Sequence, residues 1–476
     1  MTTNSDVKLF IGGAWKATGA TFPIVNPANE TVIGSVAVAS TNDLEEAVAA
    51  AAEGFRVWSK TSPWRRSEII MKAAALLRAR TEEIARSIAL ENGKPIKEAR
   101  LEVGRGAEFF EWDAGEAVRC YGRVIPSAPG IRYIVLHEPI GTVAAFSPWN
   151  FPMSQPARKI AGAIAAGCSI IMKASEETPT GVVHIAKAFE EAGLPPGVLN
   201  LVFGNPSHIS DFLIPAEQVR MVAFTGSTSV GKHLTSLAGR HMKPALMELG
   251  GHAPVVVCED ADPFAAGVKC ASRKYRNSGQ VCTSPTRFFV HEDLYHRFVE
   301  AFCDKARSII VGDGLNESTQ MGPVANDRRL EALQNLVGNA TSKGARLLCG
   351  GSRLQNQGYF FPPTALAEVP DDADAMHEEP FGPLAIINPV RSIDEAIAKA
   401  NSLPIGLAAY GFTRSAANVE RLMSGIEAGN VSINTLEASR AETPFGGVKD
   451  SGLGREGGAE GILHYMTVKN VSHLVE

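Results

Sequence analysis

Residues 141–147 read GTVAAFS and begin an alternation that sets the fold class. They are followed by a helix from about Ser154, CSIIMK at 168–173, a helix from Thr178 and VLNLVF at 198–203. A short helix, VRMVAFT at 219–225, a helix from Ser229 and PALMEL at 244–249 continue the pattern. Apolar strands separated by roughly 10 to 15 helical residues predict βαβ units in a parallel, doubly wound sheet. A second alternating series runs from APVVVC near Ala253 to about Ile433, so two α/β domains are expected.

Upstream, Asp43 to about Arg119 reads as a helical layer, Ala-rich and apolar at three-to-four spacing, with Pro63 and Pro95 placed to open new helices. Near Gly122 the punctuation by Pro126, Pro129 and Gly130, followed by IRYIVLHE, predicts a protruding β-arm. The Gly-rich last 40 residues leave the alternation and are expected to return to that arm.

The 476 residues suffice for two or three domains, since one hydrophobic core rarely grows past roughly 250 to 300 residues. Hydrophobic residues are 45% and charged residues 20%, the usage of a packed soluble protein. A net charge of −5 without a long basic run argues against nucleic acid and anionic membranes as partners. No secretory signal opens the chain and no run of about 18 apolar residues follows, so a cytoplasmic location is expected. Seven scattered cysteines, odd in number and without a C-x-x-C pair, fit neither a disulfide framework nor a structural zinc site.

Two nucleotide motifs fail on inspection. Gly226-Ser-Thr-Ser-Val-Gly231-Lys232 nearly spells a P-loop, but His233 stands where Ser or Thr must ligate Mg²⁺, which argues against an ATPase. Gly452-Leu-Gly-Arg-Glu-Gly457 matches G-x-G-x-x-G but lacks a strand ahead of it and a βαβ unit behind it.

Five segments, Pro148-Trp-Asn-Phe-Pro152, Phe224-Thr-Gly-Ser227, Met247-Glu-Leu-Gly-Gly251, Gly279-Gln-Val-Cys282 and Glu378-Glu-Pro-Phe-Gly-Pro383, occur in this order. Together with Pro444-Phe-Gly-Gly447 they resemble the aldehyde dehydrogenase superfamily over nearly the whole chain. The resemblance implies oxidation of an aldehyde to a carboxylic acid, with Cys282 as covalent nucleophile. A free thiol is only a few per cent ionised at neutral pH, yet its thiolate is intrinsically very nucleophilic. Asn150 and the Cys282 backbone N–H are the implied donors to the oxyanion of the thiohemiacetal, and Glu248 the implied base for thioester hydrolysis. The apolar context LMELGG should raise the Glu248 pKa by desolvation. Relatives that release the acyl group to coenzyme A generally lack this Glu, so a free acid is the expected product.

The family binds its dinucleotide without G-x-G-x-x-G. Ser147, Pro148, Trp149, Lys173, Glu176, Gly226, Ser227, Gly231, Glu379 and Phe381 match its cofactor positions, with NAD expected over NADP because Glu176 would face the ribose 2′ position. Glu177 is the alternative acid in this loop. Arg158, Arg276 and Ser439 resemble the positions by which succinate-semialdehyde dehydrogenases hold the distal carboxylate, as guanidinium groups can. Thr283-Ser284 offers no second cysteine beside Cys282, so the redox switch of some such enzymes is not expected.

The reading is thus an aldehyde dehydrogenase-like α/β fold. Its expected parts are an NAD-binding domain at 1–118 and 139–247, a catalytic domain at 248–435 and an oligomerisation arm at 119–138 and 436–476. A homodimer or homotetramer without a metal is expected. Rivals are the same chemistry on lactaldehyde, glutarate or 2-oxoglutarate semialdehyde or an aromatic aldehyde, the ATPase, and a non-catalytic crystallin-like protein. Intact Cys282, Glu248 and Asn150 argue against the last.

Overall fold

The computed structural model describes residues 5–354 and 356–475. The helical layer comprises Thr41–Trp58, Pro63–Ala79, Thr81–Asn92 and Ile96–Ala117. The first opens two residues ahead of Asp43 because Ser40 and Asp43 form a reciprocal capping box. Pro63 occupies the first turn behind a Ser62 cap, where its missing N–H costs nothing.

The apolar runs form strands Thr142–Phe146, Ser169–Lys173, Leu199–Val202, Val219–Thr225 and Ala245–Glu248, all parallel. The first, second and third of these are buried throughout, as expected for a sheet covered on both faces. In space the first strand of this parallel series, Thr142–Phe146, lies at the centre, between Val219–Thr225 and Ser169–Lys173. Winding therefore reverses there, and such a switch point opens a crevice at the carboxyl ends of the strands. Leu9–Ile11 and Gly452–Leu453 add antiparallel strands on either side of this parallel set. Helices begin at Ser154, Thr180, Pro206 and Thr228. The second starts after the expected Thr178, whose hydroxyl instead donates to the Trp149 carbonyl at 3.1 Å.

The second sheet runs Arg346–Cys349, Thr364–Ala367, Leu384–Val390, Pro285–His291, Ala253–Val257, Ala408–Phe412, Asn430–Ile433, parallel except at its first strand. The arm is the hairpin Arg123–Ile125 and Ile131–Pro139, joined by Met466–Leu474 in nine consecutive pairs from Met466↔Pro139 to Leu474↔Ile131. Of the stretch 436–476, expected wholly in the arm, Gly452–Leu453 lies instead on the edge of the first sheet. Among the described residues no helix is long and apolar enough to cross a membrane.

Candidate active site

Cys282 sits in the loop just before Pro285–His291, behind the turn Arg276–Gly279. In that turn Asn277, Ser278 and Gly279 all have left-handed φ, 46°, 55° and 71°. Each non-glycine there costs about 1 to 3 kcal/mol unless the surroundings impose it. They do: the Asn277 N–H donates to Glu98 at 2.9 Å, Ser278 Oγ donates to the Gly322 and Pro323 carbonyls, and Gln280 Oε1 accepts from Ala325 N–H at 2.8 Å. A Cβ on Gly279 would lie 2.1 Å from the Gly382 carbonyl oxygen, so only glycine fits.

Asn150, in the loop after Thr142–Phe146, is buried and donates from Nδ2 to the Gln280 carbonyl at 3.0 Å. An amide NH₂ has two protons, and the second has no acceptor among the described residues. Glu248 ends its strand at 2% exposure, with neither carboxylate oxygen partnered among the described residues. Burial, and then the charge of Glu456, push its pKa well above the usual carboxylate range, against the pull of Lys159, Arg158 and Arg455. Glu456 itself is buried and paired with Lys159 at 2.7 Å. The Cys282 thiol is pushed up to about 12, by burial first and then by Glu379 and Glu248, with Arg158 opposing. Burial thus favours the protonated form of the Cys282 thiol and of the Glu248 and Glu379 carboxyls alike.

At the switch point a cleft of about 570 Å³ is lined by Ser147, Pro148, Trp149, Lys173, Glu176, Gly226 and Ser227. Ser147 Oγ and Thr225 Oγ1 are buried there without partners among the described residues. Ser227 caps the helix Thr228–Arg240 without a side-chain hydrogen bond, leaving first-turn N–H groups for an anion. Glu176 pairs with Lys173 at 2.5 Å and accepts from Gly204 N–H, whereas Glu177 turns to Arg328 and Asn326. Unfilled polar atoms, a helix N-terminus and a Lys–Glu pair fit a dinucleotide. Gly231, expected at the pyrophosphate turn, does not line the cleft: it lies one turn into the helix, where a Cβ would come within 2.2 Å of Leu249. Phe381, at φ 40°, sets its ring edge-on to Trp149 at 5.5 Å, and the Glu379 pKa is raised to about 8 by burial.

Arg158 is 7% exposed, and its guanidinium lies 4.1 Å from the Phe109 ring centre and 4.8 Å from that of Phe445. Its Nη2 donates to Ser439 Oγ, and its Nη1 is buried without a partner among the described residues. Arg276 is half-buried, 3.7 Å from Glu98 and 5.6 Å from the Phe151 ring centre. Arg158 and Ser439 thus meet beside Phe445 of the Pro444-Phe-Gly-Gly447 segment, whereas Arg276 lies apart from them against Phe151, with no contact to either among the described residues.

Residues that the motifs did not flag are Lys159 and Glu456 behind Glu248, and Lys94, Glu98, Glu102 and Asn277 around Asn150. One signal was visible: Arg158-Lys159 stand side by side in a helix whose other buried positions are Pro, Ala, Ile and Gly, where unpaired charge is costly.

The chain matches the aldehyde dehydrogenase family over residues 15–471. It is 45% identical to a 4-(hydroxymethyl)benzenesulfonate dehydrogenase of Comamonas testosteroni over 97% of both chains. It is 40% identical to the mitochondrial succinate-semialdehyde dehydrogenase of Arabidopsis thaliana, over 97% of this chain and 88% of that one. The crystal structure of a succinate-semialdehyde dehydrogenase from Burkholderia pseudomallei superposes with a TM-score of 0.96 at 38% identity, over 98% of each chain. The chain belongs to the aldehyde dehydrogenase family and is an NAD(P)-dependent oxidoreductase.

Proposed function

We propose that this enzyme oxidises an aldehyde whose far end is anionic, with succinate semialdehyde to succinate as the leading case, prefers NAD, and releases a free acid. The observation that carries the reading is Arg158: a buried guanidinium with one unpartnered nitrogen among the described residues, a hydroxyl beside it and two aromatic ring centres 4.1 and 4.8 Å away. Glu456, Glu248 and Asp113 act on this charge without forming a direct ion pair with it among the described residues, and a substrate carboxylate would supply a directly bonded partner for the unsatisfied nitrogen. Arg276 adds a second cation beside Phe151.

The Cys282 thiol gives its proton to a solvent water as its sulfur bonds to the aldehyde carbon, and the C=O electron pair moves onto oxygen. That oxygen faces the second Asn150 amide proton and the Cys282 backbone N–H. Bound NAD supplies the acceptor for the hydride released when the carbonyl re-forms. The acyl group remains on Cys282 as a thioester. Glu248 then takes a proton from water as the water oxygen attacks the thioester carbon, the C–S bond breaks, and the acid leaves. A raised pKa makes Glu248 a stronger base once ionised, and the Lys159–Glu456 pair behind it gives the proton a polar surrounding. Met466–Leu474, whose outer edge is unpaired among the described residues, supports assembly into a homodimer or homotetramer through the arm.

A second reading, an aldehyde that carries a sulfonate, is supported by the Comamonas relative, which is named for a benzenesulfonate with a hydroxymethyl group, since a guanidinium binds either oxyanion. The test is NADH formation with succinate semialdehyde, glutarate semialdehyde, 4-formylbenzenesulfonate, lactaldehyde and butanal. Highest kcat/KM for a carboxylate-terminated aldehyde supports the first reading, and highest for the sulfonate supports the second. Highest for butanal or lactaldehyde contradicts both.

A further inference from the structure

The loop that carries Asn150 has little backbone hydrogen bonding of its own. Pro148 and Pro152 bracket it, and neither has an N–H to give. What holds it is a buried ion pair from the helical layer. Lys94, between the helices Thr81–Asn92 and Ile96–Ala117, lies 2.5 Å from Glu102 of the latter, and both side chains are at most 1% exposed.

The remaining bonds of both ions go to the same loop. Lys94 Nζ donates to the Asn150 carbonyl at 2.8 Å and sits 4.2 Å from the Phe151 ring centre. Glu102 Oε1 accepts the backbone N–H groups of Met153 at 2.9 Å and Ser154 at 3.2 Å. Asn277 Nδ2, from the strained turn ahead of Cys282, donates to that same Asn150 carbonyl at 2.9 Å. The Asn150 peptide is therefore tied on one side to the ion pair and on the other to the nucleophile's turn.

Desolvation of both charges makes a buried ion pair a poor source of stability, and apolar pairs of similar volume are often as stable. Direction is what it supplies. An oxyanion donor displaced by about 1 Å loses much of its effect on rate. We propose that Lys94 and Glu102 are the positioning residues of the oxyanion hole, setting the Asn150 amide against Cys282; this rests on the reading of Asn150 as oxyanion donor.

The test is the pre-steady-state NADH burst of the full-length enzyme with succinate semialdehyde and NAD. It is read in wild type, Asn150→Ala, the double variant Lys94→Met with Glu102→Met, and the triple combination. NAD affinity and the thermal midpoint are read alongside. Replacing both ions avoids leaving one charge stranded. A second pair, Lys94→Met with Glu102→Gln, keeps an acceptor for Met153 and Ser154 and carries the test if the first does not fold. The expected result is a burst slowed on the order of 10²-fold at near-wild-type NAD affinity and thermal midpoint, with no further slowing when Asn150→Ala is added. A wild-type burst rate in the ion-pair variants overturns the proposal, as do losses that multiply in the triple variant, since additive effects mark an independent structural role. A wild-type burst in Asn150→Ala alone overturns the oxyanion assignment itself, and the proposal with it.

Discussion

Arg158 and Ser439 share a hydrogen bond, with the Arg158 guanidinium against the Phe109 and Phe445 rings, although one comes from the helix Ser154–Ala166 of the first sheet and the other from the loop beyond Asn430–Ile433 of the second. The contact joins the two halves of the molecule, and in the proposed reading it receives the substrate's far end.

If that guanidinium meets a carboxylate, Arg158→Ala should lower kcat/KM for succinate semialdehyde by about 2 to 5 kcal/mol, the range for breaking a buried charged pair. Arg276→Ala should do the same to a smaller extent, because Arg276 is more exposed and already close to Glu98. Butanal, which has no anion, should be far less affected. Equal losses for the two aldehydes would mean that the arginines act structurally.

Glu248 should matter after hydride transfer. Glu248→Gln is expected to give an NADH burst followed by slow turnover, because thioester hydrolysis loses its base. The pH dependence follows from the sign of the shift. Burial and Glu456 raise the Glu248 pKa, so its ionised form is depleted as pH falls through that raised value. Deacylation in wild type should therefore rise with pH and level off above it, and the same step in Glu248→Gln should lose this dependence. A vanished burst in the variant would place the base earlier in the reaction.

Cofactor choice should turn on Glu176, which pairs with Lys173 at the cleft; Glu177 lines the same cleft but is already paired with Arg328. An ionised Glu176 near the ribose 2′ position would repel a phosphate there, with Lys173 offsetting part of that repulsion. Wild type should favour NAD in kcat/KM, and Glu176→Ser should move the ratio toward NADP. A ratio that does not move would contradict the role given to Glu176.

Much of the architecture was legible because apolar strands and amphipathic helices alternate with clear periods, from GTVAAFS at 141–147 to the second series ending near Ile433. Cys282 and Glu248 were marked by the resemblance of Gly279-Gln-Val-Cys282 and Met247-Glu-Leu-Gly-Gly251 to the family's motifs. Contacts across long sequence separations were not legible. Lys159 and Glu456 are 297 positions apart, and nothing local to either announces the other. Gly231 was expected near the pyrophosphate from its place in the turn motif, yet what it accommodates is Leu249, a partner that only the packing of helix on strand reveals. The choice between Glu176 and Glu177 likewise depended on how one loop turns between Gly204 and Arg328.

The central claim is that the aldehyde carbon becomes an acyl group on Cys282. The most direct measurement is intact mass and peptide mapping of Glu248→Gln, quenched after mixing with succinate semialdehyde and NAD, beside the same variant carrying Cys282→Ala. The account predicts a succinyl adduct on the peptide that contains Cys282, formed in step with the NADH burst and absent when Cys282 is alanine. NADH formation at wild-type rate in a Cys282→Ala enzyme, or an adduct on any of the other six cysteines instead, would contradict it.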